Sequence, residues 1–359
     1  MDIGVSIASR HNLSSNSVDP AAHVPQRLLH VSFNQDGGCF AAGTTAGFRI
    51  YNCDPFREII RRDLFNTSAG RRGGVGTVEM LFRTNILALI VGGGGDDDDP
   101  QHPPSGVMLW DDQQSRCVGS LSCGGSPARG VRILHDCVAT VTDSSVSVYD
   151  LHDLGLLHRY ETSPNPLALC AMAPLGPGRV LACPGPREGQ VRVEHLGDAL
   201  RTRSTTLAID AHPASSVACV ALSRDGRLVA TAGTGAAAVN VFDAHDGKLL
   251  LELEASLAGA TSEVYSLAFS GDSRFLATSG DGGAVQVFGL PAEEGQDRGA
   301  SSHGIASHFR TGGAGRCIVT FGALSNTVVV VGMDGSFCRC RFDPVNGGQM
   351  ALLERRDFM

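Results

Sequence analysis

Seven stretches of this chain repeat one pattern: an apolar run of strand length, a turn, a second run rich in small residues, another turn, and a third apolar run. The fifth copy, SSVACVALSRDGRLVATAGTGAAAVNVFDAHDGKL, shows the form clearly, with an Asp-Gly turn after the first run and an aromatic, Phe242, closing the last. The first copy starts at Leu28 and closes on Tyr51, the second spans Thr77 to Asp112, the third closes near Tyr149 and the seventh on Phe342. The fourth is weaker, keeping strand, turn and strand up to Val193 without a closing aromatic. A single small sheet of this kind exposes one apolar face and bare edges, and both must be covered by something like itself. Copies recurring every ~40 to 55 residues solve that problem by packing in a circle.

The predicted fold is therefore all-β, a seven-bladed β-propeller of WD-repeat type over residues 27–345. Residues 1–26, which are polar and aperiodic, are expected to form a disordered lead-in, and 346–359 a C-terminal tail. An open sandwich has no need of seven similar units. Composition agrees, since Gly 45 and Pro 16 against 18% charged residues suit many tight turns between apolar strands. A monomer is expected.

Net charge and motifs narrow the function. A formal charge of −8 argues against a nucleic-acid partner, because phosphate backbones need a strongly basic face. The eleven cysteines are scattered, with no CxxC pair, and the N-terminus does not have the form of a signal peptide. They are expected to be reduced, buried thiols of a cytosolic protein. The longest aliphatic run, Ile86 to Val91, is far short of the ~20 residues that span a bilayer, so any membrane contact is expected to be peripheral. The sequence has no nucleophile elbow, HExxH or P-loop, and the expectation is a non-enzyme without cofactor. The acidic run Asp96 to Asp99 lacks the spaced ligands of a calcium loop, and Cys338 and Cys340 lack a second ligand pair, so no metal site is expected.

Several stretches resemble the PROPPIN family, the WIPI and Atg18-type phosphoinositide-binding propellers of autophagy, and especially its shorter members. They are SFNQDGGCFAAGTTAGFRIYNCDPFREIIRRD, VEMLFRTNILALI with GGG and VMLWDDQQSRC, GQVRVEH, and EVYSLAF with the final MDGSFCRCRF. The resemblance implies a cytosolic scaffold, peripheral on forming autophagosomes (phagophores). It also implies recruitment to phosphatidylinositol 3-phosphate and binding of the large lipid-transfer protein that feeds those membranes.

The same resemblance places a Phe/Leu-Arg-Arg-Gly motif between blades five and six, each arginine serving one phosphoinositide pocket through charge-assisted hydrogen bonds. Here that place is Ala255 to Ala258, and Ser256 and Leu257 stand where both arginines belong. In blade five, Ala237 replaces a hydroxyl residue and Asn240 a basic one, whereas His212 matches the family histidine. The residual lipid-reading candidates are thus His212, Thr231 and Ser256. The arginine pairs Arg61/Arg62, Arg71/Arg72 and Arg355/Arg356 lie elsewhere and are expected to be solvated. The membrane loop of blade six, from Pro291 to Phe309, carries only Ile305 and Phe309 as large apolar residues beside three carboxylates. Asn34 and Asp36 in FNQD match positions associated with the lipid-transfer partner, and both also suit an ordinary turn. Two functions follow. One is an autophagy scaffold that meets phosphatidylinositol 3-phosphate membranes weakly or through its partner; the other is a propeller that keeps protein binding and has lost lipid reading.

Overall fold

The computed structural model describes residues 26–64, 74–92, 106–175, 179–197, 204–235, 237–255, 263–291, 306–313 and 315–359. They form seven antiparallel sheets in chain order: blades one (28–63), two (75–122), three (130–161), four (171–210), five (217–254), six (264–310) and seven (317–357). Within each blade, sequence order is spatial order. The first strands of neighbouring blades approach one another, so they make the inner wall, and the fourth strands make the rim. The predicted propeller is the observed fold.

Alternation explains the packing. In Gln190–Leu196 of blade four, Val191 and Val193 are fully buried against blade five. The second strands are buried on both faces, as in Cys39–Thr44 and Thr327–Gly332, because each blade is covered by a neighbour on either side. Rim strands are the most open, as in Ala351–Asp357, where all but one residue is exposed. The aspartates after the closing aromatics cap the turns to the rim. Asp243 accepts from the His245 backbone N–H at 2.7 Å, and Asp343 from those of Val345 at 2.9 Å and Asn346 at 3.0 Å. The same bonds hold the Asp343 carboxyl below its usual range.

The expectation of a tail over 346–359 is corrected. Ala351–Asp357 is the rim strand of blade seven, antiparallel to Ser336–Arg341 from Ser336↔Asp357 to Arg341↔Ala351. The repeat as read to Phe342 gave that blade only three strands, and a fourth covers its edge. Gly348–Gln349 also pairs, in parallel, with Ala306–Arg310, so the chain ties blade six before completing blade seven. The expected lead-in over residues 1–26 lies, apart from Gln26, outside the described residues, as do the acidic run Asp96 to Asp99 and the pair Arg71/Arg72.

Blades one and seven, the two ends of the ring, share no strand. Side chains close the seam. Phe40 stacks on Tyr51 at 4.9 Å and meets Phe337 at 6.1 Å and Phe358 at 5.1 Å, while the Tyr51 hydroxyl donates to the Phe358 carbonyl at 3.0 Å. Arg339 of blade seven reaches Asp54 of blade one at 2.6 Å. At Gly37, where φ is +69°, a Cβ would lie 2.8 Å from Thr320 Oγ1 across the seam, so only glycine satisfies both the turn and the approach.

Ten of the eleven cysteines are buried and Cys117 is exposed, all as free thiols. Burial pushes several of the buried ones up, Cys53 to about 12.

Candidate functional site

The structure brings two of the three lipid-reading candidates together. His212 follows the rim strand of blade four and is buried, with its Nε2 2.9 Å from Oγ1 of the fully buried Thr231 in the second strand of blade five. Its backbone N–H donates to the Gly189 carbonyl at 2.9 Å. Gly189, at φ +72°, is a required glycine, since a Cβ there would come within 1.9 Å of the His212 carbonyl oxygen. A Cβ at Gly233 would lie 2.9 Å from His212 Nδ1, so Gly189 makes room for the backbone of His212 and Gly233 for its ring. Burial lowers the His212 pKa, which keeps the imidazole neutral at neutral pH.

The surroundings of this pair offer little to an anion. Asn240, standing where the family resemblance expects a base, donates from Nδ2 to the Ala211 carbonyl at 3.0 Å, and its buried Oδ1 has no hydrogen-bond partner. An unpaired acceptor attracts a donor and repels a phosphate oxygen. Ala237 and Ala255 close the neighbouring edge, with the Ala255 N–H donating to the Ala237 carbonyl at 2.7 Å. Ser256 and Leu257 lie outside the described residues, as does Ile305. Phe309, the other apolar residue expected in the membrane loop, is instead part of a strand. It pairs with Val285 and packs against the core between blades six and seven.

The other arginine pairs are engaged locally. Arg61 pairs with Glu58 at 2.8 Å, Arg62 with Asp112 at 2.8 Å and Arg356 with Glu354 at 3.1 Å, while Arg355 donates to the Thr311 carbonyl at 3.0 Å.

The partner candidates diverge. Asn34 is not on an exposed turn: it is 4% exposed. Its Oδ1 accepts from the Cys39 N–H at 3.0 Å and its Nδ2 donates to the Phe82 carbonyl of blade two at 3.3 Å. Asp36 points outward. It caps the Gly38 N–H at 2.8 Å and pairs with Arg83 of blade two at 3.3 Å, with side chains 34% and 54% exposed. Between them is Gln35, which the sequence did not single out. Its Nε2 donates to the carbonyls of Met80 at 2.7 Å and Ile133 at 2.9 Å, and its Oε1 accepts from the Phe82 N–H at 2.7 Å. One side chain thereby joins blades one, two and three. Asn34 and Gln35 together hold Phe82 at φ +49°, a conformation that a bulky side chain seldom adopts, with its ring stacked on His135 at 4.5 Å. The one signal in the sequence was the FNQD tetrapeptide.

A further polar group lines the inner wall. The His30 Nδ1 accepts from the Val78 N–H at 3.4 Å, and burial next to Arg132 brings its pKa from 6.5 to about 4. A base that binds its proton less well when folded contributes stability that is fully present above pH 6.5 and lost as the pH falls towards 4. The expected loss is up to about 3 kcal/mol. Urea unfolding of the parent and of His30→Gln at pH 7 and about pH 4.5 checks this: the variant should lose markedly less stability than the parent, and equal losses would refute the assignment.

Among the described residues no cluster of three or more His, Cys, Asp or Glu side chains is arranged to hold a metal ion, and no helix is long and apolar enough to cross a membrane.

Fold and junction geometry define a seven-bladed β-propeller of WD-repeat type. The chain belongs to the PROPPIN family, whose model matches residues 27–303. It is 33% identical to autophagy-related protein 18e of Arabidopsis thaliana over 347 residues, which is 92% of this chain and 88% of that one. Among solved structures it superposes on Kluyveromyces lactis Hsv2 with a TM-score of 0.75 at 18% identity, covering 93% of this chain and 100% of the other. The same coverage, with a TM-score of 0.76 at 20% identity, holds for KlAtg21 solved in complex with the coiled coil of AgAtg16. At these identities the structures share the fold.

Proposed function

We propose that this chain is a non-enzymatic autophagy scaffold. Its partner, a lipid-transfer protein, docks on the turn shared by blades one and two, and it meets phosphatidylinositol 3-phosphate membranes weakly or indirectly. Family membership supports the process, and the complex of KlAtg21 with a coiled coil supports protein binding as a use of this fold. One observation carries the mechanism: the half-exposed Asp36–Arg83 pair stands on a turn braced from beneath by Asn34 and Gln35, which presents a fixed charged feature to a partner. A propeller that binds proteins and has lost phosphoinositide reading is the second interpretation, favoured by the neutral His212 and the unpaired Asn240 acceptor.

Pull-down of the lipid-transfer partner tests the docking surface. Asp36→Ala is expected to leave stability within about 1 kcal/mol, because an exposed ion pair is worth little. It should weaken capture about 10- to 100-fold, the worth of one charge-assisted hydrogen bond. Asn34→Ala should lower stability by about 1–3 kcal/mol, since it leaves the Cys39 N–H and Phe82 carbonyl without their buried partner. Capture by Asp36→Ala equal to that of the parent would exclude this surface.

A further inference from the structure

The inner strands line an open cavity of about 320 Å³ whose ionisable groups lie on one side. Blades one to three contribute the ionisable groups His30, Glu79 and Arg132, and blades four, six and seven contribute Met172, Ala268 and Ile318 together with the hydroxyls of Ser266 and Thr320. Arg132 Nη1 donates to Glu79 Oε1 at 2.5 Å and Nε to the Cys170 carbonyl at 2.9 Å. The Glu79 side chain is 8% exposed, whereas that of Arg132 is 36% exposed, so the guanidinium keeps a face towards the cavity. Packing alone gives no reason for the pair, because apolar residues of similar volume generally stabilise a buried site as well as an ion pair does.

The chemistry of the wall selects a ligand class. Because His30 Nδ1 accepts the Val78 N–H, its own proton sits on Nε2, which makes the ring a donor. Arg132 is a second donor and the Glu79 carboxylate an acceptor, so donors and acceptors alternate along one wall as the hydroxyls of a polyol require. The ion pair sums to zero, and the depressed pKa of His30 adds no charge. A charged ligand would therefore lose hydration without gaining a counter-charge. The opposite wall, apolar but for the Ser266 and Thr320 hydroxyls, suits the C–H face of a saturated ring, and the volume lies at the small end of ligand pockets, near 300 Å³.

We propose that the channel binds a small, uncharged, polyhydroxylated ring compound of monosaccharide or cyclitol size. Its hydroxyls face His30, Arg132 and Glu79, and its C–H face rests on Met172, Ala268 and Ile318. Gln35 lines this cavity and also braces the blade one and two turn, but neither Asp36 nor Arg83 lines it, and the proposal does not depend on the function proposed above.

Calorimetry and saturation-transfer NMR on the full chain test it, with glucose, xylose and a neutral cyclitol as ligands and glucosamine and glucose 6-phosphate as charged controls. Saturable binding of at least one neutral ring is expected below about 10 mM, with both charged controls at least about tenfold weaker. Ala268→Leu fills the apolar side without touching the polar one and should abolish binding, its circular dichroism remaining that of the parent. Glu79→Gln, which leaves Arg132 uncompensated, should move the preference to glucose 6-phosphate by about tenfold or more. If Glu79→Gln does not fold, Ala268→Leu decides alone. No saturable binding by the parent, equal binding of the charged controls, or unchanged binding by a folded Ala268→Leu overturns the proposal.

Discussion

Replacing Ser256 and Leu257 by arginine is expected to raise binding to phosphatidylinositol 3-phosphate liposomes by about 100- to 10,000-fold over a parent that floats weakly or not at all. Each arginine that the family resemblance expects would add hydrogen bonds to charged phosphate oxygens worth about 1.5–3 kcal/mol, so two supply roughly 3–6 kcal/mol. What remains at the junction does not offset their loss. His212 is neutral and already bonded to Thr231, and a neutral group contributes only about 0.5–1.5 kcal/mol. Asn240 turns an acceptor where a donor is needed. Phe309 is committed to the core between blades six and seven, which removes one of the two large apolar residues expected to enter the bilayer. The measurement is flotation of parent, both single variants and the double variant on liposomes with and without the lipid, at two salt concentrations. A gain confined to that head group and reduced by salt is the expected result. Tight, head-group-specific flotation of the parent would refute the account and place the basic site elsewhere.

The blades were legible because each repeat carries its own local information in strand-length apolar runs separated by turns, helped in most copies by an aromatic at the end of the third strand and in several by an Asp-Gly turn. The rim strand of blade seven was not. Ala351–Asp357 contains Glu354, Arg355 and Arg356 and is mostly exposed, so it has no apolar period to distinguish it from a tail. The site residues show a different limit. FNQD gave the residue types and a turn, but a turn does not say which side chain goes inward; Asn34 and Asp36 both offer a side-chain acceptor and face opposite ways. Gln35 and the Arg132–Glu79 pair join residues 45 or more positions apart, contacts that only the packing of blades one, two and three against one another creates and that leave no local trace in the sequence.

Phe40→Ala is expected to destabilise the chain by about 3–5 kcal/mol, the usual range for emptying a buried aromatic site. Phe40 has 0% exposure and touches both ends of the ring, stacking on Tyr51 of its own blade and meeting Phe337 and Phe358 of blade seven. In the other junctions the chain itself runs from one blade into the next. Here no peptide links the partners and no strand is shared, so the cluster, Arg339–Asp54 and the Tyr51–Phe358 bond hold the ring shut. Phe40→Leu retains most of the volume and should cost about 1–2 kcal/mol, losing chiefly the aromatic contacts. Removing residues 351–359 should do more damage than the point variant, because it takes Phe358 and bares the edge of Ser336–Arg341 together. Denaturant midpoints rank the three against Ile59→Ala, whose side chain lies on the exposed rim at 43% and should matter little. A cost for Phe40→Ala no larger than that for Ile59→Ala would mean that the seam is held by something other than its aromatic side chains. A cost near 4 kcal/mol, with pulse proteolysis cutting first near the chain ends, would mean that ring closure is the step on which the remaining blades depend.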